Sequence, residues 1–175
     1  MSSYEVYAVK YAEREAVRAE HFIGGDIHDN SPMPMDYFVW VIRDNHQTTW
    51  VVDTGFEEDD ATARGRTLLR TAAEGVALIG VDPETVSDVI MTHFHYDHAG
   101  GVKQFPNAIF HVQEAEMAFA TGRDMTSRAY SHAFNVRHIQ NLVGRVFAQR
   151  VRFHEGDVEL APGLTLHLIG GHTRG

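Results

Sequence analysis

Short runs of apolar and β-branched residues recur along the chain and predict a mixed α/β architecture. Seven such runs predict β-strands, at residues 4–10, 37–42, 48–52, 87–92, 108–112, 151–155 and 164–169. The second and third runs flank a turn at Asp44-Asn45, which predicts an antiparallel hairpin. Between the first two runs, residues 22–36 are rich in Gly, Asp, Asn and Pro and indicate a long irregular loop.

Helical spacing separates several of the predicted strands. Residues 58–74 predict a helix with Leu68, Leu69 and Ala72 on its apolar face, and residues 113–120 predict a second helix. Asp82-Pro83 is typical of the start of a short helical turn. The clearest helix is predicted over residues 132–149, where apolar residues recur at spacings of three and four, at Val136, Ile139, Val143 and Val146.

Composition narrows the function classes. A chain of 175 residues with 43% hydrophobic residues suits one globular domain. The net charge of −9 disfavours nucleic acid as a partner, because phosphate backbones need a basic surface. With no cysteine, disulfides and thiolate metal sites are excluded. Charges interrupt the first fifteen residues and no apolar run approaches the ~20 residues of a membrane span, so we expect a cytoplasmic protein without a membrane partner.

The sequence His-Phe-His-Tyr-Asp-His at residues 93–98 carries the candidate chemistry. Three imidazoles and a carboxylate within six residues follow a predicted strand, at the kind of loop where α/β folds build sites. His93 and His95 are two apart, so in an extended segment both rings lie on one side and can reach one ion. A turn after them would direct Asp97 and His98 to a neighbouring position, and Gly100-Gly101 permits close backbone approach.

Such a cluster favours a metal-dependent hydrolase. Imidazole and carboxylate ligands bind zinc and other first-row metals, and a metal-bound water has its pKa lowered to about 7. The cluster therefore predicts a hydrolase that acts on an ester, lactone, thioester or amide. The alternative is a metal ion with a purely structural role. The isolated histidines are expected to be structural or merely exposed: His21, His28, His46, His132, His138, His154 and His167.

Three segments together resemble the metallo-β-lactamase superfamily. The signature Thr-His-Phe-His-Tyr-Asp-His-Ala-Gly-Gly at 92–101, the strand-ending Asp-Thr-Gly at 53–55 and the later Gly-His-Thr at 171–173 agree in order and spacing over nearly the whole chain. The resemblance implies an αββα sandwich of two similar halves. Of this sandwich, residues 1–175 are expected to form a single domain that covers the first half and slightly more and is truncated at its C-terminus.

The resemblance also implies roles for individual residues. His93, His95 and His172 would bind a first metal, and Asp97 and His98 a second. Asp97 would also hand a proton to the leaving oxygen, and Asp53 would hold a ligand-bearing loop by hydrogen bonds, with a turn or helix-cap role as the alternative. The expected cofactor is Zn²⁺, with two ions in the complete protein, although iron or manganese would suit the same ligands.

Two features depart from the family pattern. Arg174 stands where the family commonly has proline, which changes the loop and the charge near the site. The metal-bridging aspartate and the last histidine of the family belong to the second half of the fold, which this sequence does not contain. Half a sandwich would leave apolar surface uncovered, so either aggregation or pairing with another chain, as in a homo-oligomer, is expected.

The signature does not choose the substrate. The segment around Tyr96 and the double glycine resemble the N-acyl homoserine lactonase branch, which implies a small-molecule lactone substrate and a role in quorum quenching. A thioester hydrolase of the glyoxalase II type and a non-catalytic metal-binding fragment are the alternatives.

Overall fold

A computed structural model describes residues 3–175 and contains a seven-stranded mixed sheet and a separate two-stranded hairpin. The strands are β1 (Tyr4–Arg14), β2 (Met35–Asp44), β3 (Thr49–Val52), β4 (Thr67–Leu68), β5 (Asp88–Ile90), β6 (Ile109–Gln113), β7 (Val151–His154), β8 (Val158–Ala161) and β9 (Leu164–Leu166). The large sheet has the order β4-β1-β2-β3-β5-β6-β7 and the hairpin is β8-β9.

The helices connect the strands of the large sheet. They are α1 (Glu58–Arg64), α2 (Ala72–Ala77), α3 (Tyr96–Ala99), α4 (Glu114–Thr121), α5 (Arg128–Ser131) and α6 (Val136–Phe147). Short 3₁₀ turns cover Arg18–Glu20, Val102–Gln104 and Arg123–Thr126. Within residues 3–175, no helix combines the length and the apolar character needed to cross a lipid bilayer.

The predicted helix over residues 58–74 is wrong in its extent. Helix α1 ends at Arg64 because Gly65 adopts a left-handed conformation with φ 62°. Glycine adopts this conformation easily, whereas residues with a Cβ disfavour it. Leu68 then pairs with Ala12 as part of β4, so it belongs to the sheet edge and not to a helix face. A second helix starts after Thr71, whose hydroxyl accepts from the backbone N–H of Glu74.

Other predicted elements differ in smaller ways. The Asp82-Pro83 segment forms a hydrogen-bonded turn, in which Thr85 N–H donates to the Asp82 carbonyl, and not a helix. Helix α6 is shorter than predicted, and Val136, at its first turn, is 68% exposed, while His138, Ile139 and Leu142 are buried. Strand β8, with the sequence Val-Glu-Leu-Ala, was not predicted. It pairs only with the neighbouring strand β9.

The apolar core lies between the helices and one face of the large sheet. Alternate residues of adjacent strands share this face through the pairs Val9–Val39, Val41–Val51, Val51–Val89 and Val89–Phe110. Helix residues Val76, Phe119 and Leu142 join the same buried cluster. On the opposite face the β8-β9 hairpin lies near the first strand, where the Tyr4 hydroxyl donates to the Pro162 carbonyl at 2.9 Å.

The parallel part of the sheet determines where polar residues gather. Strands β3, β5 and β6 run parallel and adjacent, so their carboxyl ends meet at one edge. Asp53 follows β3, the histidine cluster follows β5, and helix α4 follows β6 directly. Such an edge of an open α/β sheet is the expected location of a site.

Candidate metal centre

Three imidazoles converge at the carboxyl edge of the sheet. His93, His95 and His172 each offer one ring nitrogen, and these nitrogens lie within 4.8 Å of one another. The first two leave the end of β5, whereas His172 arrives from the segment after β9. The fold therefore brings together residues that are far apart in sequence. Within residues 3–175, no other group of three or more His, Asp or Glu side chains has the spacing to share an ion.

Burial keeps the first two imidazoles neutral. Loss of hydration lowers the pKa of His93 to about 3, and the neighbouring His98 acts in the same direction. Burial likewise lowers the pKa of His95 to about 3, with repulsion from His93 as the next cause. A neutral imidazole presents a lone pair, so both rings are in the form that binds a metal.

One atom of this cluster lacks a partner that the protein itself could supply. The Nε2 atom of His93 is buried and has no hydrogen-bond partner among residues 3–175, whereas Nδ1 lies 3.1 Å from the Thr92 hydroxyl. A buried polar atom without a partner costs free energy, and a metal ion at the point where the three nitrogens converge would remove that cost. The residues therefore fit a metal bound by three imidazoles with an open fourth position, as in catalytic zinc sites.

Asp97 and His98 form a second donor pair beside the first. Nε2 of His98 lies 3.6 Å from Oδ2 of Asp97, and its ring centroid lies 4.0 Å from that of His93. Both side chains sit on the one-turn helix α3, which places them past the extended His93–His95 segment. One imidazole and one carboxylate form an incomplete coordination sphere, so a second ion here would need further ligands.

Asp53 fixes the orientation of His98. Its Oδ2 lies 2.7 Å from Nδ1 of His98, which leaves Nε2 free on the side of Asp97. The same carboxylate accepts from both the backbone N–H and the hydroxyl of Thr92, at 2.8 and 2.7 Å. Burial opposes protonation of His98, but the adjacent Asp53 outweighs it and raises the pKa of His98. A carboxylate that orients an imidazole in this way is typical of metal sites.

The backbone of Asp53 is itself unusual. It has φ 63°, in a region that few residues other than glycine occupy, although aspartate tolerates it. Its N–H donates to the Ile90 carbonyl at 2.8 Å, which ties the end of β3 to β5. The carboxylate caps no helix in the described residues, since α1 begins only at Glu58. The side chain of Asp53 therefore contacts Thr92 and His98, at the two ends of the histidine segment.

Two glycines allow the Asp53-Thr54-Gly55 segment to lie directly against α3. A Cβ at Gly100 would come within 2.7 Å of the Gly55 carbonyl oxygen, and a Cβ at Gly101 would overlap the Thr54 carbonyl oxygen. This close approach allows both the N–H and the hydroxyl of Thr54 to donate to the His98 carbonyl, at 2.7 and 2.9 Å. The two sequence motifs are therefore the two sides of one tight backbone contact.

A layer of aromatic residues supports the ligand-bearing turn from the core side. The Tyr11 hydroxyl donates to the Asp97 carbonyl at 2.7 Å, and Tyr96 shares a hydrogen bond of 3.2 Å with Tyr37. Burial raises the pKa of Tyr37, so this hydroxyl stays protonated. Phe134 packs edge-on against His95 with ring centroids 4.8 Å apart. Sequence spacing gave no signal for these contacts, because they join separate elements.

The remaining polar residues singled out in the sequence lie in other environments. Arg174 pairs with Asp124 at 2.9 Å, and its guanidinium lies over the ring of Phe119. His138 is buried against Asp60, and His167 pairs with Asp157 at the surface. A residue that the sequence analysis missed is Glu116, which is buried on α4 and bonds to the ligand-bearing backbone. Local sequence gave no signal for it, because an acidic residue in the first turn of a helix is ordinarily exposed.

A cavity of about 260 Å³ opens beside the centre. Two of the converging imidazoles, His95 and His172, form one wall. Phe119, Tyr130 and Phe134 also line the cavity and supply its aromatic surface. The cavity therefore combines an apolar surface with two of the three converging imidazoles.

Comparison with known proteins identifies the family of this chain. The sequence profile of the metallo-beta-lactamase superfamily matches residues 33–175. A probable metallo-hydrolase of Mycobacterium tuberculosis is 30% identical over 129 residues, which are 67% of this chain and 35% of the relative. An N-acyl homoserine lactonase of Bacillus sp. is 27% identical over 159 residues, which are 81% of this chain and 57% of the relative. The chain thus spans between about a third and just over half of these relatives.

Solved structures show the same fold. An N-acyl homoserine lactone hydrolase with the product N-hexanoyl-L-homoserine at its catalytic metal centre superposes with a TM-score of 0.72 and 20% identity, over 97% of this chain and 67% of that one. A dizinc quorum-quenching lactonase superposes with a TM-score of 0.65 and 17% identity, over 93% of this chain and 66% of that one. The predicted metallo-β-lactamase architecture is confirmed, and the chain belongs to the metallo-beta-lactamase superfamily.

Proposed function

We propose that this protein is a metal-dependent hydrolase that opens a lactone of the N-acyl homoserine lactone type. The observation that carries the proposal is the convergence of three imidazole nitrogens within 4.8 Å, one of them buried without a partner. His93, His95 and His172 would hold one ion, most simply Zn²⁺, and Asp97 and His98 would contribute to a second. Iron or manganese would suit the same ligand types.

When bound, the metal supplies a hydroxide nucleophile at neutral pH and polarises the carbonyl that is attacked. The protein residues perform the other tasks. Water adds its oxygen to the lactone carbonyl carbon, the ring C–O bond breaks, and the departing ring oxygen must take up a proton. Asp97, half-buried beside His98, is the carboxyl group positioned to carry that proton. Asp53 keeps His98 in one orientation during these steps.

The adjoining cavity supports a substrate with an apolar part. Its walls of Phe119, Tyr130 and Phe134 suit an acyl chain, while His95 and His172 lie at the same cavity. Relatives that are N-acyl homoserine lactonases, at 27% and 32% identity, favour this substrate class, and with it a role in quorum quenching. We also propose that the protein is cytoplasmic.

A thioester hydrolase of the glyoxalase II type uses the same ligand signature and is the second candidate. A substrate panel on the zinc-loaded protein separates the two. We expect ring opening of N-hexanoyl homoserine lactone with a higher kcat/KM than hydrolysis of a glutathione thioester. Thioester hydrolysis without lactone opening would contradict the lactonase proposal. Zinc binding without hydrolysis of either substrate would favour the non-catalytic alternative.

A further inference from the structure

Glu116 is a buried carboxylate that the catalytic proposal does not use. It lies on α4 with 1% of its surface exposed, and it belongs to none of the ion pairs among residues 3–175. Its neighbour Glu114, on the same helix, is exposed. A buried carboxylate is costly unless its oxygens accept hydrogen bonds, so the partners of Glu116 indicate its purpose.

Those partners are two backbone N–H groups from different parts of the chain. Oε1 accepts from Phe94 N–H at 2.8 Å, and Oε2 accepts from Gly175 N–H at 3.2 Å. Phe94 stands between the ligands His93 and His95, and Gly175 stands three residues after the ligand His172. One carboxylate therefore joins the two segments that supply the three converging imidazoles.

The contact with the second segment is close as well as polar. A Cβ built on Gly175 would overlap Glu116, with the Glu116 backbone nitrogen 2.9 Å away. The loop after His172 can thus approach α4 only with glycine at this position. The hydrogen bond and the missing side chain together fix how near His172 comes to His93 and His95.

We propose that Glu116 is a positioning residue that sets the zinc affinity of the centre by holding the His93–His95 segment and the His172 segment at one separation. This inference rests on the proposed function, because it requires that the three imidazoles bind a metal. It adds to that function a residue that touches neither the metal position nor the substrate cavity. Partners of this kind, which orient metal ligands, typically contribute 10–100-fold in affinity.

The chemistry of the carboxylate suggests the variant. A carboxylate accepts through both oxygens, whereas an amide accepts through one oxygen and directs N–H groups at its other partner. Glu116→Gln therefore keeps the size of the side chain and breaks one of its two hydrogen bonds. Glu114→Gln makes the same chemical change on the exposed side of the helix and is the matched control.

The experiment is a competition between the metal-free protein and a chromophoric chelator for Zn²⁺, with urea unfolding of the metal-free protein measured in parallel. We expect Glu116→Gln to weaken zinc binding by about 10–100-fold, and Glu114→Gln to leave it unchanged. Gly175→Ala, which pushes the same contact apart from the other side, should weaken zinc binding in the same range. The double variant should lose less than the product of the two single losses.

Two results would overturn the inference. If Glu116→Gln lowers the unfolding midpoint but binds zinc like the wild type, its role is structural only. If Glu116→Gln does not fold, Gly175→Ala decides the matter, and wild-type zinc affinity in that variant contradicts the proposal. Failure of the wild-type protein itself to bind zinc would instead contradict the metal centre, and the inference with it.

Discussion

The two donor sets of the candidate centre lie side by side but have opposite electrostatics. His93 and His95 have no carboxylate partner, and burial lowers the pKa of each to about 3. His98, whose ring centroid is 4.0 Å from that of His93, is bonded to the buried carboxylate of Asp53, and its pKa is raised. One short segment therefore contains imidazoles held neutral by burial and an imidazole whose charge is favoured by a partner.

This difference indicates how each set would respond to a metal. The neutral cluster already presents lone pairs and needs no proton release, so it gives the stronger first position. The pair formed by Asp97 and His98 must compete with a proton that Asp53 helps to retain. We therefore expect the three-imidazole position to fill first and the second position to depend on Asp53 and on pH.

Loss of one of the three converging imidazoles should have the largest effect on zinc binding and hydrolysis. His95→Ala removes one of three imidazoles, so we expect hydrolysis to be abolished and zinc affinity to fall by more than the roughly 10–100-fold typical of outer-shell partners. Elemental analysis and a lactone assay measure both. His46→Ala, at an exposed turn, is the control. Normal zinc content and activity in His95→Ala would remove this residue from the centre.

The charged pair should matter for turnover. Asp97→Asn keeps the shape of the side chain but cannot carry a proton, so we expect kcat to fall by about 10²–10⁴-fold while the circular dichroism spectrum is retained. Steady-state kinetics on the lactone give the value. An unchanged kcat would exclude Asp97 from proton transfer.

Loss of the Asp53 carboxylate should have an intermediate effect, on the binding of the second zinc. Asp53→Asn loses the charge that supports His98, so the second zinc should bind about 10–100-fold more weakly while the first is retained. A stepwise zinc titration separates the two. Equal weakening of both sites would mean that Asp53 acts through its contacts with Thr92 or through general folding, and not specifically through His98.

The pH dependence of stability should separate the two sets without a metal. Because folded His93 and His95 titrate near 3 and unfolded histidine near 6.5, the unfolded chain binds more protons between these values. Lowering the pH from 6.5 towards 3 should thus destabilise the metal-free protein.

His98 acts in the opposite direction, since its raised pKa adds stability that is complete below 6.5 and is lost as the pH rises through the folded value. Urea unfolding at several pH values measures the net effect of these opposing contributions on the free energy of unfolding. His93→Ala should flatten the acid limb, and an unaltered slope in that variant would contradict the lowered pKa.

The smallest effect concerns the backbone contact that supports both sets. Gly101→Ala places a methyl group against the Thr54 carbonyl oxygen, so we expect a loss of about 1–3 kcal/mol in the free energy of unfolding. Gly144→Ala, in α6 with open space around its Cα, should instead stabilise by about 0.5–1 kcal/mol. Equal effects of the two substitutions would show that the contact is loose.

Local sequence pattern predicted much of this molecule for identifiable reasons. Strands such as β2 and β3 have alternating or continuous apolar residues and a turn between them, so period and turn chemistry agree. The histidine cluster combines ligand type and spacing within six residues, and both are readable without a fold. The convergence of His172 on this cluster followed only from the family resemblance, since no local pattern links residues so far apart.

The elements that were wrong or missed depend on tertiary contacts. Residues 58–74 have helical composition, but Gly65 ends α1 and pairing with β1 draws Leu68 into the sheet. Val136 continues the apolar spacing of α6 yet lies at its exposed first turn. Glu116 was missed because a carboxylate in the first turn of a helix is ordinarily a favourable surface residue, and only its partners show otherwise.

The most direct test of the account is the ligand shell of zinc in protein loaded with one equivalent, measured by X-ray absorption at the zinc edge. We predict the scattering pattern of three imidazoles with Zn–N distances of about 2.0–2.1 Å, and the loss of one imidazole in His172→Ala. A shell dominated by carboxylate oxygens, or an identical shell in His172→Ala, would contradict the three-imidazole centre.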